Sequence, residues 1–451
     1  MPTLIRTLRL RDLLFLFIGS VIGSGIFLSP GPILKLVNGS VGLSMLVWIA
    51  GGIMSLLGAL TYAELAAANP EAGGLYCYIR DGFGRLPAFL YGWCLFLVIS
   101  AATIAALARA FARYLAEVIP LTPMESNVAA VLMIAVVTVV NVRGTRQSSD
   151  LQNWTTLIKG GLVVVLSIVL LALGKHGGEI IPAAGTQMHG MSLFSSFSLA
   201  MIAVLWAYEG WQFGTYSAGE VIAPQKVFPR AFFLGSLILI GLYVVAVLAY
   251  LVALGPTVAT DSDAIAATAA TAVLGPWAGK FVALTILISV FSATNSVVLT
   301  APRVFYAMAK DNLFFKTLAE VHPRFHTPAN AIVALCVWSA ALTFAGRFSE
   351  LAQGVVFIGW IFYGLGAAAI FPLRSALGEL TKALPYRVPG YPWTPIVFLL
   401  AAAAVVGNAI FLATRDPDEF RHVLAGLILL VLGTPAYFFW RWWNARTSPS
   451  S

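Results

Sequence analysis

The sequence predicts an all-α integral membrane protein with twelve transmembrane helices. Three observations predict this fold class: an apolar composition, a series of apolar runs long enough to cross a membrane, and polar interruptions in two of those runs. Hydrophobic residues make up 59% of the 451 residues and charged residues 10%, whereas roughly a quarter of an ordinary soluble domain is charged. The chain has too few polar side chains to cover a water-soluble globule.

The net charge of +8 would suggest nucleic-acid binding in a soluble protein. Here the basic residues lie in short runs between long apolar segments, where they indicate topology instead. We therefore predict the lipid bilayer as the environment and no nucleic acid as a partner.

Apolar runs of about 20 residues, enough to cross roughly 30 Å of hydrocarbon, occur twelve times. Their centres lie near residues 25, 55, 100, 134, 164, 206, 242, 290, 337, 362, 404 and 431. The first run lacks a signal-peptide cleavage site and is read as a retained span. The predicted organisation is a cytoplasmic segment (1–12), a five-helix repeat (13–174), a second, inverted five-helix repeat (195–373), two additional helices (394–442) and a cytoplasmic tail (443–451).

The distribution of Lys and Arg predicts the orientation. One side of the alternation holds Arg6, Arg9, Arg11, Arg80, Arg85, Arg143, Arg146, Lys226, Arg230, Arg303, Lys310, Lys316, Arg324, Arg374, Lys382, Arg387, Arg441 and Arg446. The other side holds Lys175, Lys280, Arg347, Arg415 and Arg421. By the positive-inside rule the first side is cytoplasmic. We predict a multi-pass protein of the plasma (inner) membrane with both termini in the cytoplasm.

Spans one and six carry residues that disfavour a continuous helix at mid-membrane depth. Residues 17–27 contain three glycines and two serines, and span six places Glu209 beside Gly210. Close packing of small residues is one explanation for the glycines. The two spans are the first members of two five-span halves, and paired interruptions are typical of transporters built from inverted repeats. This pairing favours broken helices with a binding site at the midplane.

A broken helix exposes backbone groups that cannot stay unpaired in lipid. A zwitterion satisfies both kinds of group. Amides around Ser24 and Gly25 would hold a carboxylate at a positive half-helix end. Carbonyl groups near Val21, Trp206 and Glu209 would accept hydrogen bonds from an ammonium.

Several motifs occur in a fixed order from about residue 12 to 374. They are Gly23–Phe27, Tyr62–Leu65, Gly73–Tyr76, Trp206–Trp211, Glu220 with Pro224 and Pro229-Arg230, Asn295 with Arg303, and Thr327-Pro328. With these motifs the sequence resembles the amino acid, polyamine and organocation transporter superfamily, and within it the L-type amino-acid transporter branch. The last two spans match in hydropathy alone.

The resemblance implies a LeuT-like fold, in which a five-plus-five inverted repeat with helices 1 and 6 unwound is followed by two extra helices. It also implies sodium-independent amino-acid transport, often by exchange, with Trp206 as an aromatic gate. The predicted substrate-binding residues are Val21, Ser24, Gly25, Ile26, Trp206, Tyr208, Glu209 and Gly210. Animal members attach a heavy chain through a cysteine between spans three and four. That loop has none here (117–125), so we expect a prokaryotic type without a disulfide-linked heavy chain.

Lys159 lies six residues after Asn153, the predicted start of span five, and so about 9 Å into the membrane at 1.5 Å per residue. From this depth its ammonium could snorkel to the cytoplasm. The resemblance instead implies that it tethers span five to the unwound part of span one, where sodium-coupled relatives bind a sodium ion. Asn295 is predicted to share this conformational role.

Glu209 lies near the middle of its span, too far from either interface to snorkel. It could be a protonated acid hydrogen-bonded to a neighbour. The resemblance implies another role, since members that accept cationic amino acids or cystine carry an acid at this position. We therefore predict a substrate range that includes cationic as well as neutral amino acids.

Other classes of function fit the sequence less well. An intramembrane enzyme would need ligands within spans, yet the histidines lie in loops or at a span end, and no His-Glu-x-x-His motif occurs. A pump would need a phosphate-binding loop, and a channel a filter or charged ring. We predict no enzyme activity, cofactor or metal. The remaining alternative is a proton-coupled carrier of cationic amino acids or polyamines from the same superfamily.

Overall fold

The computed structural model describes residues 3–180, 191–344 and 348–447. Within these ranges the regular elements are helices, and the β pairing is an isolated bridge between Leu8 and Val221. The α-helices are α1 (Leu10–Val21), α2 (Gly25–Leu28), α3 (Pro30–Leu36), α4 (Val41–Ala68), α5 (Leu75–Phe83), α6 (Arg85–Cys94), α7 (Ser100–Ala116), α8 (Pro123–Arg143), α9 (Thr145–Leu173), α10 (Met191–Ala207), α11 (Pro224–Thr260), α12 (Ile265–Leu274), α13 (Trp277–Thr300), α14 (Pro302–Lys310), α15 (Ala329–Phe344), α16 (Phe348–Ala368), α17 (Ile370–Leu377), α18 (Trp393–Ala413) and α19 (Pro417–Thr447).

Nine helical segments of the described chain are long and apolar enough to cross a membrane. They correspond to nine of the twelve predicted spans. The other three predicted centres fall on helices that are broken or shorter. Residue 25 lies among α1, α2 and α3, residue 206 lies near the end of α10, and residue 337 lies in α15, which has 16 residues.

Span three is also irregular, because a five-residue π-helix (Leu95–Ile99) joins α6 to α7. A π-helical segment inserts extra backbone into a turn and so rotates the face that follows it. The side chains of α7 that point into the protein are therefore out of register with those of α6.

The broken first span lies at the centre of the bundle. Helix α1 packs against α9, α11 and α13, and α4 packs along α11. Eight of the twelve residues of α1 are buried. An interruption in this span is therefore enclosed by protein, where backbone polar groups can find partners.

Ion pairs join the helix ends on the side of the bundle that carries the N-terminus. Arg303 of α14 donates from Nε to Glu220 Oε2 at 2.7 Å, and both side chains are fully buried. Arg146 of α9 donates to Asp12 of α1 at 2.8 Å. These contacts connect the start of α9 with α1, and α14 with the segment after α10.

Candidate functional site

A cavity of about 290 Å³ lies between the two interrupted spans. This volume is close to the lower end of the range for small-molecule sites, roughly 300–1,000 Å³. The cavity is lined by the end of α1 and start of α2, the end of α10, and the inward faces of α7 and α13. Its lining residues are Ser20, Val21, Gly23, Ser24, Gly25, Thr103, Ala106, Leu107, Ala110, Trp206, Ala207, Glu209, Gly210, Phe213, Ala293 and Val297.

The first interruption lies between the end of α1 at Val21 and the start of α2 at Gly25. Gly23 donates its N–H to the Val21 carbonyl at 2.8 Å, which turns the chain out of the helical path. Among the described residues, no acceptor bonds the amide N–H of Ser24 or of Gly25. Both residues line the cavity, so it contains unpaired backbone donors.

The second interruption follows the end of α10 at Ala207. Gly210 has a φ of +116°, a conformation that L side chains rarely adopt. A Cβ at this position would lie 2.8 Å from the carbonyl oxygen of Ser20. The Ser20 hydroxyl in turn donates to the Gly210 carbonyl at 2.9 Å. The glycine therefore allows the two interruptions to contact each other directly.

Gly25 has a comparable role on the other side of the contact. A Cβ there would lie 3.2 Å from the Cα of Ala207. The absence of a side chain lets the start of α2 approach the end of α10, and this approach forms one wall of the cavity.

The carbonyl groups predicted to receive an ammonium differ in how many hydrogen bonds they already accept. The Val21 carbonyl accepts the Gly23 N–H at 2.8 Å and the Tyr243 hydroxyl at 3.0 Å, which uses both lone pairs. The Trp206 carbonyl accepts the N–H of Glu209 at 3.1 Å. Within the described ranges, no donor bonds the Glu209 carbonyl.

Six of the eight predicted substrate-binding residues line the cavity, and two do not. Ile26 is completely buried elsewhere in the core. Tyr208 turns away from the cavity, and its ring packs against Trp48 and Tyr243 with centroid distances of 6.0 and 4.9 Å. The Tyr208 N–H still donates to the Val204 carbonyl at 3.1 Å, so Tyr208 continues the last turn of α10 and its side chain points toward α4 and α11. Trp206 is 48% exposed at the cavity.

Glu209 both lines the cavity and bonds to a neighbouring helix. Its Oε1 accepts the hydroxyl of Tyr363 of α16 at 2.7 Å. Tyr363 is itself held by Tyr62 of α4, whose hydroxyl donates to the Tyr363 carbonyl at 2.9 Å. The carboxylate is therefore fixed at the cavity wall by a contact on one of its two oxygens.

Lys159 lies farther from the start of its helix than the sequence predicts. Helix α9 begins at Thr145 and not at Asn153, so Lys159 is about 21 Å along the helix at 1.5 Å per residue. Its side chain is fully buried, and its ammonium donates to the carbonyl oxygens of Gly19 and Ile22, at 2.6 Å each. This geometry excludes snorkelling to the cytoplasm and places the ammonium on the interruption of span one.

Asn295 lies outside the cavity, in a polar network between α8, α9 and α13. Its Oδ1 accepts from Asn141 Nδ2 at 2.9 Å, and its Nδ2 donates to Gln152 Oε1 at 2.9 Å. The network joins the three helices at a level between Lys159 and the N-terminal end of α9.

The sequence did not identify the cavity residues of α7 and α13, nor the side chains that bond the backbone carbonyl groups at the interruption of span one. Ser289 of α13 donates to the carbonyl groups of Ile22 and Gly23 at 2.9 and 3.1 Å, and Tyr243 of α11 bonds Val21. Tyr243 is a lone polar side chain in an apolar run, whereas Ser289 begins a stretch rich in polar residues that continues to Ser296. The small residues of α7 carried no comparable signal. In the described part of the chain, no group of three His, Cys, Asp or Glu could hold a metal ion.

Comparisons with known proteins cover nearly the whole chain. A family model described as amino acid permease matches residues 8–433. The chain is 32% identical to the serine/threonine exchanger of Bacillus subtilis over 94% of both chains. It is 30% identical to the human large neutral amino acids transporter small subunit 2, covering 96% of this chain and 79% of the relative. Identity to the human cystine/glutamate transporter is 28%, over 96% and 84% respectively.

Proposed function

The chain belongs to the amino acid permease family, and from that premise we propose that it is a sodium-independent amino-acid exchanger that works by alternating access. The match confirms the resemblance to the amino acid, polyamine and organocation superfamily and to its L-type relatives. The family and these relatives are transporters, so the chain is a transporter and not an enzyme.

The observation that carries the proposal is the cavity between the interruptions of α1 and α10. The unpaired N–H groups of Ser24 and Gly25 line it, and in a water-poor site such donors favour a carboxylate. The free carbonyl of Glu209 supplies an acceptor for an ammonium. The Val21 carbonyl would have to release a present donor before taking part, whereas the Trp206 carbonyl accepts one N–H and keeps a second lone pair. A small zwitterion therefore fits both the volume and the polarity of this cavity.

Sodium independence is supported by the position of Lys159. Its ammonium supplies a fixed positive charge at the carbonyl oxygens of Gly19 and Ile22. By the family resemblance, this is the region where sodium-coupled relatives hold a sodium ion. We propose that Lys159, and with it the network of Asn295, controls the conformation of the interruption without touching substrate.

The substrate range is proposed from Glu209. A carboxylate at the cavity wall attracts a second positive charge on a substrate, and this attraction is stronger in a site that excludes water than in bulk solvent. We propose that cationic as well as neutral amino acids are accepted. A proton-coupled carrier of cationic amino acids or polyamines is the second candidate, because the Glu209 carboxylate could carry the coupled proton.

The proposed topology has twelve spans, with both termini on the cytoplasmic side of the plasma membrane. It is supported by the nine long helices together with the broken first and sixth spans and α15. The interruptions of α1 and α10 fall in corresponding members of the two proposed five-helix repeats. We propose that the transporter functions without a disulfide-linked heavy chain.

The experiment is uptake of radiolabelled serine into proteoliposomes. We expect uptake that requires an amino acid on the opposite side and is equal in sodium and potassium buffers. Gly25→Leu should abolish it, because the added side chain would meet Ala207 and fill the space beside the free N–H groups. Gly241→Leu is the matched control, since a Cβ there meets no atom within 4 Å.

Competition by decarboxylated amines separates the two candidates. The amine that corresponds to a transported amino acid should compete poorly, because it lacks the carboxylate. Full competition by the amine, or uptake driven by a pH gradient with no substrate on the opposite side, would instead favour the proton-coupled carrier. Sodium-driven accumulation would contradict both.

A further inference from the structure

Two cavities beside the N-terminal segment are lined by basic side chains. The first, of about 680 Å³, is lined by Arg6, Arg9, Arg11 and Arg146 together with two uncharged residues. The second, of about 360 Å³, shares Arg146 and adds two further arginines and a histidine. Among the residues that the structure describes, none that lines either cavity is acidic. The pair forms one continuous surface, which we call the N-terminal basic site.

The arginines of this site are held on an ordered backbone. The N–H groups of Thr7 and Leu8 donate to the Glu220 carbonyl at 2.8 and 2.9 Å, and the Ile222 N–H donates to the Leu8 carbonyl at 2.8 Å. This pairing fixes the segment that carries Arg6 and Arg9 against the chain after α10. The basic site is therefore a built surface and not a freely moving tail.

The positive charge of the site is only partly neutralised. Arg146 is paired with Asp12 and Asp150. For Arg6, Arg9, Arg143 and Arg324, no carboxylate of the described residues lies within 4.0 Å. Four guanidinium groups thus face two adjoining cavities without a counter-charge, and guanidinium groups bind phosphate oxygens with particular strength.

An apolar face leads from the basic site along α9. Arg146, Asp150, Trp154 and Ile158 are spaced four residues apart and so lie on one side of the helix. Trp154 is 64% exposed and Ile158 46% exposed, and Val165 continues the exposed apolar face. In a membrane protein this face meets acyl chains. A ligand with a phosphate at one end and a hydrocarbon tail at the other matches both parts.

We propose that the N-terminal basic site binds the phosphate-bearing headgroup of an anionic phospholipid, whose acyl chains lie along the exposed face of α9. Basic pockets at the cytoplasmic ends of transmembrane helices commonly bind such headgroups. Arg9 of the basic site precedes Ser20 of the substrate cavity by eleven residues, which is roughly 16 Å along α1 at about 1.5 Å per residue. The two sites are therefore separate, and the proposal does not depend on which amino acid is transported.

The test measures binding of dioctanoyl phosphatidylglycerol and dioctanoyl phosphatidylcholine to the purified full chain in detergent, by thermophoresis. We expect tighter binding of phosphatidylglycerol. At roughly fivefold per basic residue, Arg6→Gln/Arg9→Gln should weaken phosphatidylglycerol binding roughly 30-fold. Arg441→Gln/Arg446→Gln, which removes the same charge from exposed positions of α19, should leave it unchanged.

Two further measurements distinguish a lipid phosphate from a free phosphate and show whether a loss of binding comes from a misfolded variant. Arg143→Gln/Arg324→Gln, on the second cavity, should also weaken phosphatidylglycerol binding. Glycerol 1-phosphate should fail to displace the lipid at equal concentration, because it lacks the acyl chains. Equal binding of the two lipids, unchanged binding by both site variants, or displacement by glycerol 1-phosphate would each overturn the proposal.

Discussion

Replacing Lys159 by methionine should slow amino-acid exchange much more than it weakens substrate binding. Methionine preserves most of the side-chain volume and removes the donor. The ammonium now bonds the Gly19 and Ile22 carbonyls at 2.6 Å. The Ile22 carbonyl keeps the Ser289 hydroxyl at 2.9 Å. In the described structure the Gly19 carbonyl has no second donor, because the Gly23 N–H that would reach it in a continuous helix bonds Val21 instead.

The expected magnitude follows from this single orphaned carbonyl. A buried polar group left without a partner costs about 1–3 kcal/mol. If every turnover needs the tethered arrangement, its population falls by roughly 5- to 150-fold, and the exchange rate falls with it. Lys159 does not line the cavity, so we expect the apparent affinity for substrate to change far less.

The assay compares exchange rates and substrate competition in proteoliposomes of equal protein content. Lys280→Met, at an exposed lysine of α13, is the matched control and should behave as wild type. An exchange rate for Lys159→Met within twofold of wild type would refute the tether. So would an equal loss of affinity and rate, because the tether does not touch substrate.

Three further substitutions test other contacts. Gly210→Ala should lower the melting temperature and abolish transport, since its φ is +116° and the added Cβ would lie 2.8 Å from a carbonyl oxygen of α1. The control Gly23→Ala, whose Cβ meets no atom within 4 Å, should keep the wild-type melting temperature. Equal melting temperatures of the two variants would contradict this reasoning. Glu209→Gln should lower the ratio of cationic to neutral amino-acid transport on monodisperse protein, and an unaltered ratio would eliminate the selectivity role. Arg303→Gln should reduce the free energy of unfolding by about 3–5 kcal/mol, because it leaves the fully buried Glu220 carboxylate without its cationic partner. Chemical denaturation measures this loss. The Arg303→Gln/Glu220→Gln double variant should recover part of it.

The positions of the two interruptions could be read from the sequence. Glycine and a carboxylate in the middle of an apolar run are costly in a continuous helix, and the structure ends α1 at Val21 and α10 at Ala207. The paired arrangement followed from where these residues stand in the two halves. Local composition was sufficient because the signal and the break lie in the same few residues.

The start of α9 could not be read in this way. The sequence predicts that span five starts at Asn153, after a polar segment, yet α9 starts at Thr145 and includes that segment. Its polar side chains find partners inside the protein: Ser148 bonds Asn141 at 2.5 Å, and Asn153 bonds Asp12 at 2.7 Å. Hydropathy treats such residues as solvent-exposed, and only the tertiary structure shows that they are satisfied.

The lining of the cavity was predicted only where it belongs to the interruptions. Thr103, Ala106 and Ala110 face the cavity from α7, but their rotation depends on the π-helix at Leu95–Ile99. Nothing in that apolar sequence marks the extra backbone. Tyr208 packs against Trp48 and Tyr243 because it continues the last turn of α10, and the apolar sequence around it does not show which way that turn faces.

The tether from Lys159 ends on backbone oxygen atoms, and this has an evolutionary consequence. Ser20, Val21 and Gly23 line the cavity, while the neighbouring carbonyl groups of Gly19 and Ile22 receive the ammonium. Mutation can change the first set and cannot remove a carbonyl. A lineage can therefore change the side chains that line the cavity while the backbone acceptors of Lys159 stay the same.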